Sequence, residues 1–393
     1  MSKYIVPNIG HIWLNVTDAC NLRCRYCFVE QHPHYMSWEV AKDSIDLLSK
    51  CKDHKHIQFF GGEPTLLWDS IIVPSIEYVH KNNMDIGFGM TTNFILLDEY
   101  KLKYLKDNKV SLLFSIDGDK ETQDYNRPCP ELNKSSFDIL EPKMDLILKY
   151  NPRITFRSTL IPKTCNNLYD NLMFADSKGF TNSFACPDDF SEWTEDDVRN
   201  LENNVNRYSL YLLDRFLNNK PYIRFSPIMK ALGELALIDK NRESNKVSRR
   251  GTQMCGLGIS TYSVNYEGGI FACQQMPSRG YDNNPHYIGD IYNGIDVERR
   301  DKLIENYRGH DLTCEDPNLC EECPRRFICN KGFCHSNSFL KFGNEYTKPR
   351  IRCLWDIILT KSAYFIRSTL AEALPDKSYS EIIQMLDKRG RDE

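Results

Sequence analysis

Long apolar runs are missing from this 393-residue chain. No stretch approaches the ~20 consecutive apolar residues that a membrane helix requires. The N-terminal text, MSKYIVPNIGHIWLNV, has no basic segment leading into an apolar one, so it does not read as a secretory signal. Charge of one sign is lacking too. The formal net charge is −4, which provides no basic field for nucleic acid or for an anionic membrane. There are no internal repeats and no low-complexity tracts. These absences predict a cytoplasmic globular protein with neither nucleic acid nor membrane as a partner. Hydrophobic residues make up 41%, enough for a substantial core, and the length fits one large barrel plus a second module.

Cysteine is not scarce. There are 15, a high count for a compartment that keeps thiols reduced, so metal binding is the first alternative to disulfides. Three sit in one short motif and eight fall between 255 and 353. Cys51, Cys129, Cys165 and Cys186 are scattered and read as small buried apolar residues.

The first 190 residues alternate short β-like runs with helical patterns. Strands are predicted at 12–16, 57–60, 85–91, 111–116, 153–160 and 181–185. Helices are predicted at 38–51, 68–82, 98–108, 136–150 and 167–178, with Ser37 and Asp98 as N-caps. Six β units alternating with helices predict an α/β fold, a partial (β/α)6 TIM-like barrel. Eight strands would be needed to close it. A helix near 196–218 carries the apolar stripe Val198, Leu201, Val205, Tyr208 and Leu212, which reads as core packing. Another helix is predicted at 227–239. The charged text of 240–252 reads as a surface linker. We therefore place a barrel domain at 8–239 and a cysteine-rich module at 250–360. A helical tail fills 361–393, within a longer helical pattern over 354–387. Small loop-rich modules of this kind generally need metal to hold them together.

Thr17–Phe28 reads TDACNLRCRYCF, which places Cys20, Cys24 and Cys27 inside eight positions. Thiolates suit zinc, copper(I) and iron–sulfur clusters. Structural zinc takes four ligands, so three cysteines without a nearby fourth argue against it. Three thiolates on a cube-shaped [4Fe–4S] cluster leave one iron open to a substrate or cofactor. The motif also follows the first strand, where barrels carry their active-site loops. Gly61-Gly62-Glu63-Pro64 follows the second strand, and its glycines let the backbone approach a ligand closely. Thr92 and Asn93 end the third strand. Ser115 ends the fourth, and Arg127 lies twelve residues further on.

CxxxCxxC with an aromatic residue before the last cysteine closely resembles the signature of the radical S-adenosylmethionine (SAM) enzymes. The resemblance implies that the open iron chelates the amino and carboxylate groups of SAM. One electron then splits SAM into methionine and a 5′-deoxyadenosyl radical, which abstracts hydrogen from substrate. It implies further that the Gly61–Pro64 turn holds the methionine amino group and that Thr92 and Asn93 reach the ribose or methionine. Ser115 and Arg127 would contact the ribose and carboxylate, since a guanidinium is a natural bidentate partner for a carboxylate. The Tyr26 backbone would meet the adenine.

The second half resembles the SPASM domain, an extension carrying two auxiliary [4Fe–4S] clusters, for three in all. The shared pattern is Cys255, Gly268, Cys273, then Cys320, Cys323, Cys329 and Cys334, and finally Cys353. Four residues rather than the usual three separate Cys329 from Cys334. The resemblance assigns Cys320, Cys323, Cys329 and Cys353 to the distal cluster and Cys255, Cys273 and Cys334 to the nearer one. That leaves the nearer cluster one ligand short. Either Cys314 completes it or its open iron binds substrate. A zinc ribbon is the competing reading of the CxxC pairs.

Enzymes of this kind mostly act on peptides, which makes the first expectation a maturase of a ribosomally made precursor peptide that installs a cysteine thioether. An electron donor such as flavodoxin or ferredoxin is implied. A leader-gripping winged helix is not expected, so the barrel, the auxiliary module or a separate leader-binding protein is expected to hold the leader. The alternative is an anaerobic sulfatase-maturating enzyme, which makes formylglycine. In that family an aspartate base directly follows the cysteine corresponding to Cys273, but Gln274 stands here. Asp188 or Asp189 could substitute. A non-catalytic iron–sulfur or zinc scaffold would leave the GGEP turn at 61–64 and the SIDG stretch Ser115-Ile116-Asp117-Gly118 without a purpose. Anaerobically purified protein should be brown, and Cys24→Ala should abolish release of 5′-deoxyadenosine measured by chromatography. Unchanged release would overturn the assignment of the motif.

Overall fold

The computed structural model describes residues 4–5, 10–51, 54–130, 133–245, 256–308, 310–329 and 334–389. The chain folds as two compact units, each assembled from separate segments. One comprises Met1–Ser115, Pro128–Leu140 and Thr252–His310, and the other Ile116–Arg127, Glu141–Gly251 and Asp311–Glu393.

The strands of the sheets in chain order are β1 (Tyr4–Ile5), β2 (His11–Thr17), β3 (Lys55–Gly61), β4 (Ile86–Thr92), β5 (Ser111–Ser115), β6 (Thr155–Leu160), β7 (Asn182–Pro187) and β8 (Arg224–Phe225). They continue with β9 (Thr261–Val264), β10 (Gly269–Phe271), β11 (Tyr287–Asp290) and β12 (Gly294–Asp296). In the first unit the order is β1-β12-β11-β10-β9-β2-β3-β4-β5. β2 to β5 and β9 run parallel, whereas β9 to β12 and β1 form antiparallel pairs. Ile57 and Phe59 are buried along with Gln58 between them, as expected of a parallel strand covered on both faces. In the second unit β6, β7 and β8 are parallel.

The six predicted strands all form, each within two residues of its expected bounds. Ser37 and Asp98 cap their helices by accepting from the backbone N–H of Val40 and Lys101. Three expected helices are divided where a proline removes an N–H donor. Residues 136–150 break at Glu141–Lys143, around Pro142, and 68–82 begins as a π turn, Trp68–Ile72, ahead of Pro74. The closing pattern becomes Arg350–Ala373 and Tyr379–Arg389, separated near Pro375. The helix expected at 227–239 runs from Ser226 to Glu243, into the segment read as a linker. The cysteine-rich half contains strands the sequence did not announce. Of these, β9 extends the sheet of the first unit alongside β2. Among the described residues no helix is long and apolar enough to cross a membrane.

The long helix Glu195–Leu217 buries its predicted stripe. Tyr208 in that stripe is fully buried, donates to the Ile223 carbonyl at 2.8 Å and accepts from the Phe225 N–H at 2.9 Å. Tyr208→Phe would leave both backbone groups unpaired. A loss of about 1–3 kcal/mol is expected, read as a lower midpoint in urea unfolding. An unchanged midpoint would show that these bonds add nothing.

Candidate functional site

The cysteine loop leaves the C-terminal end of β2. Its entry is set by Thr17, whose hydroxyl donates to the His34 carbonyl at 2.6 Å and accepts from the Ala19 N–H at 3.0 Å. Asp18 pairs with the His34 ring at 3.1 Å. The Arg23 N–H bonds to the Pro128 carbonyl, and the buried Cys129 thiol donates to the Asn21 carbonyl at 3.5 Å. Cys129 is therefore a prop beneath the loop. Cys20 and Cys24 are half-buried and Cys27 is exposed. Burial raises the Cys20 pKa. A bound cation would reverse that, because metal ligation displaces thiol protons.

The glycine turn is built against this loop. Gly62 N–H donates to the Thr17 carbonyl at 2.7 Å, and Glu63 N–H donates to the Ala19 carbonyl at 2.9 Å. A Cβ on Gly61, where φ is +123°, would lie 2.2 Å from the Thr17 oxygen; one on Gly62 would lie 2.1 Å from the Ala19 oxygen. Only glycine permits two main chains to approach so closely. The Glu63 carboxylate is buried and accepts from Thr65 N–H, Thr65 Oγ1, Thr92 Oγ1 and Asn93 N–H at 2.6–3.1 Å. Burial pushes its pKa up, and these donors pull it back. Its oxygens join the ends of β3 and β4, Oε1 taking three of these bonds and Oε2 one. Pro64 is buried beside it.

Asn93 completes the link. Its amide donates to Asn21 Oδ1 at 2.8 Å and lies 3.8 Å from the Cys20 sulfur. Asn21 Nδ2 is buried and has no acceptor among the described residues. An orphaned N–H donor next to cluster-type thiols fits a bound iron–sulfur centre, whose sulfurs accept such bonds. Tyr26 and Ser115 are half-buried, Ser115 at the end of β5.

Arg127 belongs to the second unit, at the end of the helix Lys120–Asn126. It is buried, and its Nη2 meets Asp117 Oδ1 at 3.1 Å. Asp117 also accepts from Thr159 N–H at 3.0 Å. The sequence singled out Ser115 and Arg127. Asp117, whose carboxylate orients the guanidinium, lies two residues after Ser115, and the sequence alone gives it no role. Asp189 is held by Arg352 at 2.5 Å and by Asn337 at 2.6 Å. Asp188 accepts from Ser191 N–H and Oγ, and burial raises its pKa.

In the same unit Cys314, Cys320, Cys323, Cys329 and Cys353 line one cavity of about 500 Å³, open solvent included. Cys314 thus lies beside the four cysteines expected for the distal cluster. Buried Lys348 and Arg325 share the lining. Lys348 pairs with Asp356 at 2.5 Å; burial works against its charge, but Asp356 keeps it protonated. Two buried cations among thiols fit a group that brings negative charge with its thiolates. Among the described residues no three His, Cys, Asp or Glu side chains converge on a single metal ion. A zinc ion would need thiolates within ~2.3 Å of one point, whereas a cube of four irons is held from its corners. Of the nearer set, Cys273 is buried in the first unit and Cys334 caps the helix His335–Phe342 in the second. Cys255 lies outside the described residues.

Residues 14–164 match the Radical SAM superfamily. These residues form a radical SAM domain. The chain is 27% identical over 354 residues, 83% of its length and 89% of the relative's, to a cysteine-type anaerobic sulfatase-maturating enzyme of Clostridium perfringens. It is 24% identical to the radical SAM cyclopropyl synthase TigE of Paramaledivibacter caminithermalis, over 86% of this chain and 70% of that one. A relative from Methanocaldococcus jannaschii, an uncharacterized protein, is 33% identical over 37% of this chain; the match spans about half, 51%, of that relative. The fold is shared with native anSMEcpe bound to AdoMet and Cp18Cys peptide. The TM-score is 0.69 at 19% identity, over 93% of this chain and 99% of the other. This likeness carries the α/β, partial-barrel architecture expected from the alternating strands and helices. Gly62→Ala should strain the turn by about 1–3 kcal/mol and weaken SAM binding to the reconstituted protein about tenfold or more. Wild-type affinity in equilibrium binding would contradict the close-approach role.

Proposed function

We propose that this radical SAM enzyme is a maturase of a ribosomally made peptide, joining a peptide carbon to a cysteine sulfur as a thioether. The reading is supported by similarity over 83% of the chain to an anaerobic sulfatase-maturating enzyme, and by a fold shared with a structure bound to AdoMet and a peptide. The observation that carries it is Gln274. Its side-chain Oε1 accepts from the Cys273 thiol at 3.5 Å, and its carbonyl accepts from Asn15 Nδ2 at 3.2 Å. An amide cannot take up a proton, so the base expected here of a formylglycine-forming enzyme is missing from this position.

Cys20, Cys24 and Cys27 would hold the SAM-binding cluster, and the later cysteines two auxiliary clusters. When bound, these groups and SAM would supply the hydrogen-abstracting radical and an acceptor for the surplus electron. The chain's own part is position and charge. Gly61 and Gly62 fasten the SAM turn to the cysteine loop, and Glu63 locks both to Asn93. Asp117 aims Arg127, whose guanidinium would meet the SAM carboxylate, with Tyr26 and Ser115 toward the adenine and ribose. Lys348 and Arg325 neutralise the distal thiolates. A flavodoxin- or ferredoxin-class donor would deliver the electron, and the leader would be held by the barrel, the auxiliary module or a separate protein.

Formylglycine formation is the second reading, favoured by the 27% identity over 83% of the chain. It would call on another carboxylate, and Asp188 has the raised pKa such a role uses. Anaerobic incubation with a cysteine-containing precursor peptide and SAM separates the two by mass spectrometry. A thioether removes two hydrogen atoms per bond and consumes one free thiol. Formylglycine instead yields an aldehyde that a hydrazide probe captures. Aldehyde formation, lost in Asp188→Asn, would replace the first reading with the second; a peptide recovered unchanged would sink both.

A further inference from the structure

Five thiols line the distal cavity, and a cube of four irons offers four corners. Their arrangement says how the surplus is divided. Cys314 forms a two-residue parallel pairing, Thr313–Cys314 with Thr347–Lys348, that sets it opposite Lys348. The next residue tightens this link. Glu315 N–H donates to the Lys348 carbonyl at 3.0 Å, and Glu315 Oε2 accepts from Arg350 N–H at 2.7 Å. Arg350 opens the helix Arg350–Ala373, whose first turn carries Cys353. Two cysteines 39 positions apart are thereby held with their sulfurs 3.1 Å from one another. Cys320 lines the same cavity. Cys323 and Cys329 complete the ring.

We infer that Cys314 and Cys353 share one corner of the distal cluster, so that either can serve as its fourth ligand, while Cys320, Cys323 and Cys329 each hold a corner alone. The inference rests on the reading that this half of the chain binds auxiliary clusters. Two sulfurs at this separation face one iron, not two, because thiolates on different corners stand further apart. The pair differs in access: Cys353 is buried, whereas Cys314 is half-exposed. Ligation by either releases its thiol proton, and the partner keeps its own. Lys348, packed against both strand and helix, offers its charge to whichever sulfur is the thiolate. Cys314 is then a standby ligand, built to keep the centre intact when the Cys353 bond opens. It does not belong to the nearer cluster.

The test is iron and acid-labile sulfide content of anaerobically reconstituted protein, paired with iodoacetamide labelling read by mass spectrometry. Cys314→Ala and Cys353→Ala should each retain the wild-type iron content. The double variant, like Cys320→Ala as a reference, should lose about four irons per chain. In loaded wild-type protein the label should divide between Cys314 and Cys353 and spare Cys320, Cys323 and Cys329. In loaded Cys353→Ala, Cys314 should become protected, a readout that does not depend on the folding of the other variants. Loss of about four irons from Cys353→Ala alone, with Cys314 fully labelled in the wild type, overturns the shared corner and leaves the cluster reading standing. Wild-type uptake of only about four irons removes the cluster reading itself, and the inference with it.

Discussion

The candidate SAM site depends on one close approach between main chains. The turn at Gly61 and Gly62 lies against the carbonyls of Thr17 and Ala19, where a single added carbon would sit about 2 Å from an oxygen. Two N–H···O bonds close the contact, and Glu63 then gathers four donors from its own turn and from the end of β4. A buried carboxylate is costly unless its lone pairs are filled. Here four donors at the strand ends that border the cysteine loop offset that cost. The cost of burying Glu63 therefore holds these ends in register. Asn93 carries the same constraint to Asn21 and Cys20.

The second unit solves a different problem, that of collecting thiols from text with little periodicity. A network of buried charge does this. Lys348 and Arg325 both reach Asp356, and Arg325 also reaches Glu234 on the helix Ser226–Glu243. Leaving any member unpaired would strand a buried charge, which is strongly destabilising. The network ties three separate segments to a long helix and leaves its cations facing the thiols. The same lining that organises the cavity also sets its electrostatic field.

How far the sequence could be read follows from range. Strand and helix positions in the first 190 residues were legible because period and capping act over a few residues. Their breaks at Pro142 and Pro375 were visible in principle as missing donors. β9 to β12 were not, because each is only three or four residues long and they lie in glycine-rich text. Their strand character comes from neighbours, β2 among them, that no local window contains.

Cysteine spacing, the two glycines of GGEP and the Gln274 substitution were determined by the sequence alone, since each is a matter of which chemistry a residue can perform. The tertiary structure decided what those residues face. Glu63 turned inward to four donors, Asp117 took charge of Arg127, and Cys314 met Cys353 across 39 positions. The reason is physical: a hydrogen bond or a thiol contact is settled by proximity in space, and a linear pattern does not encode proximity beyond a few turns of chain.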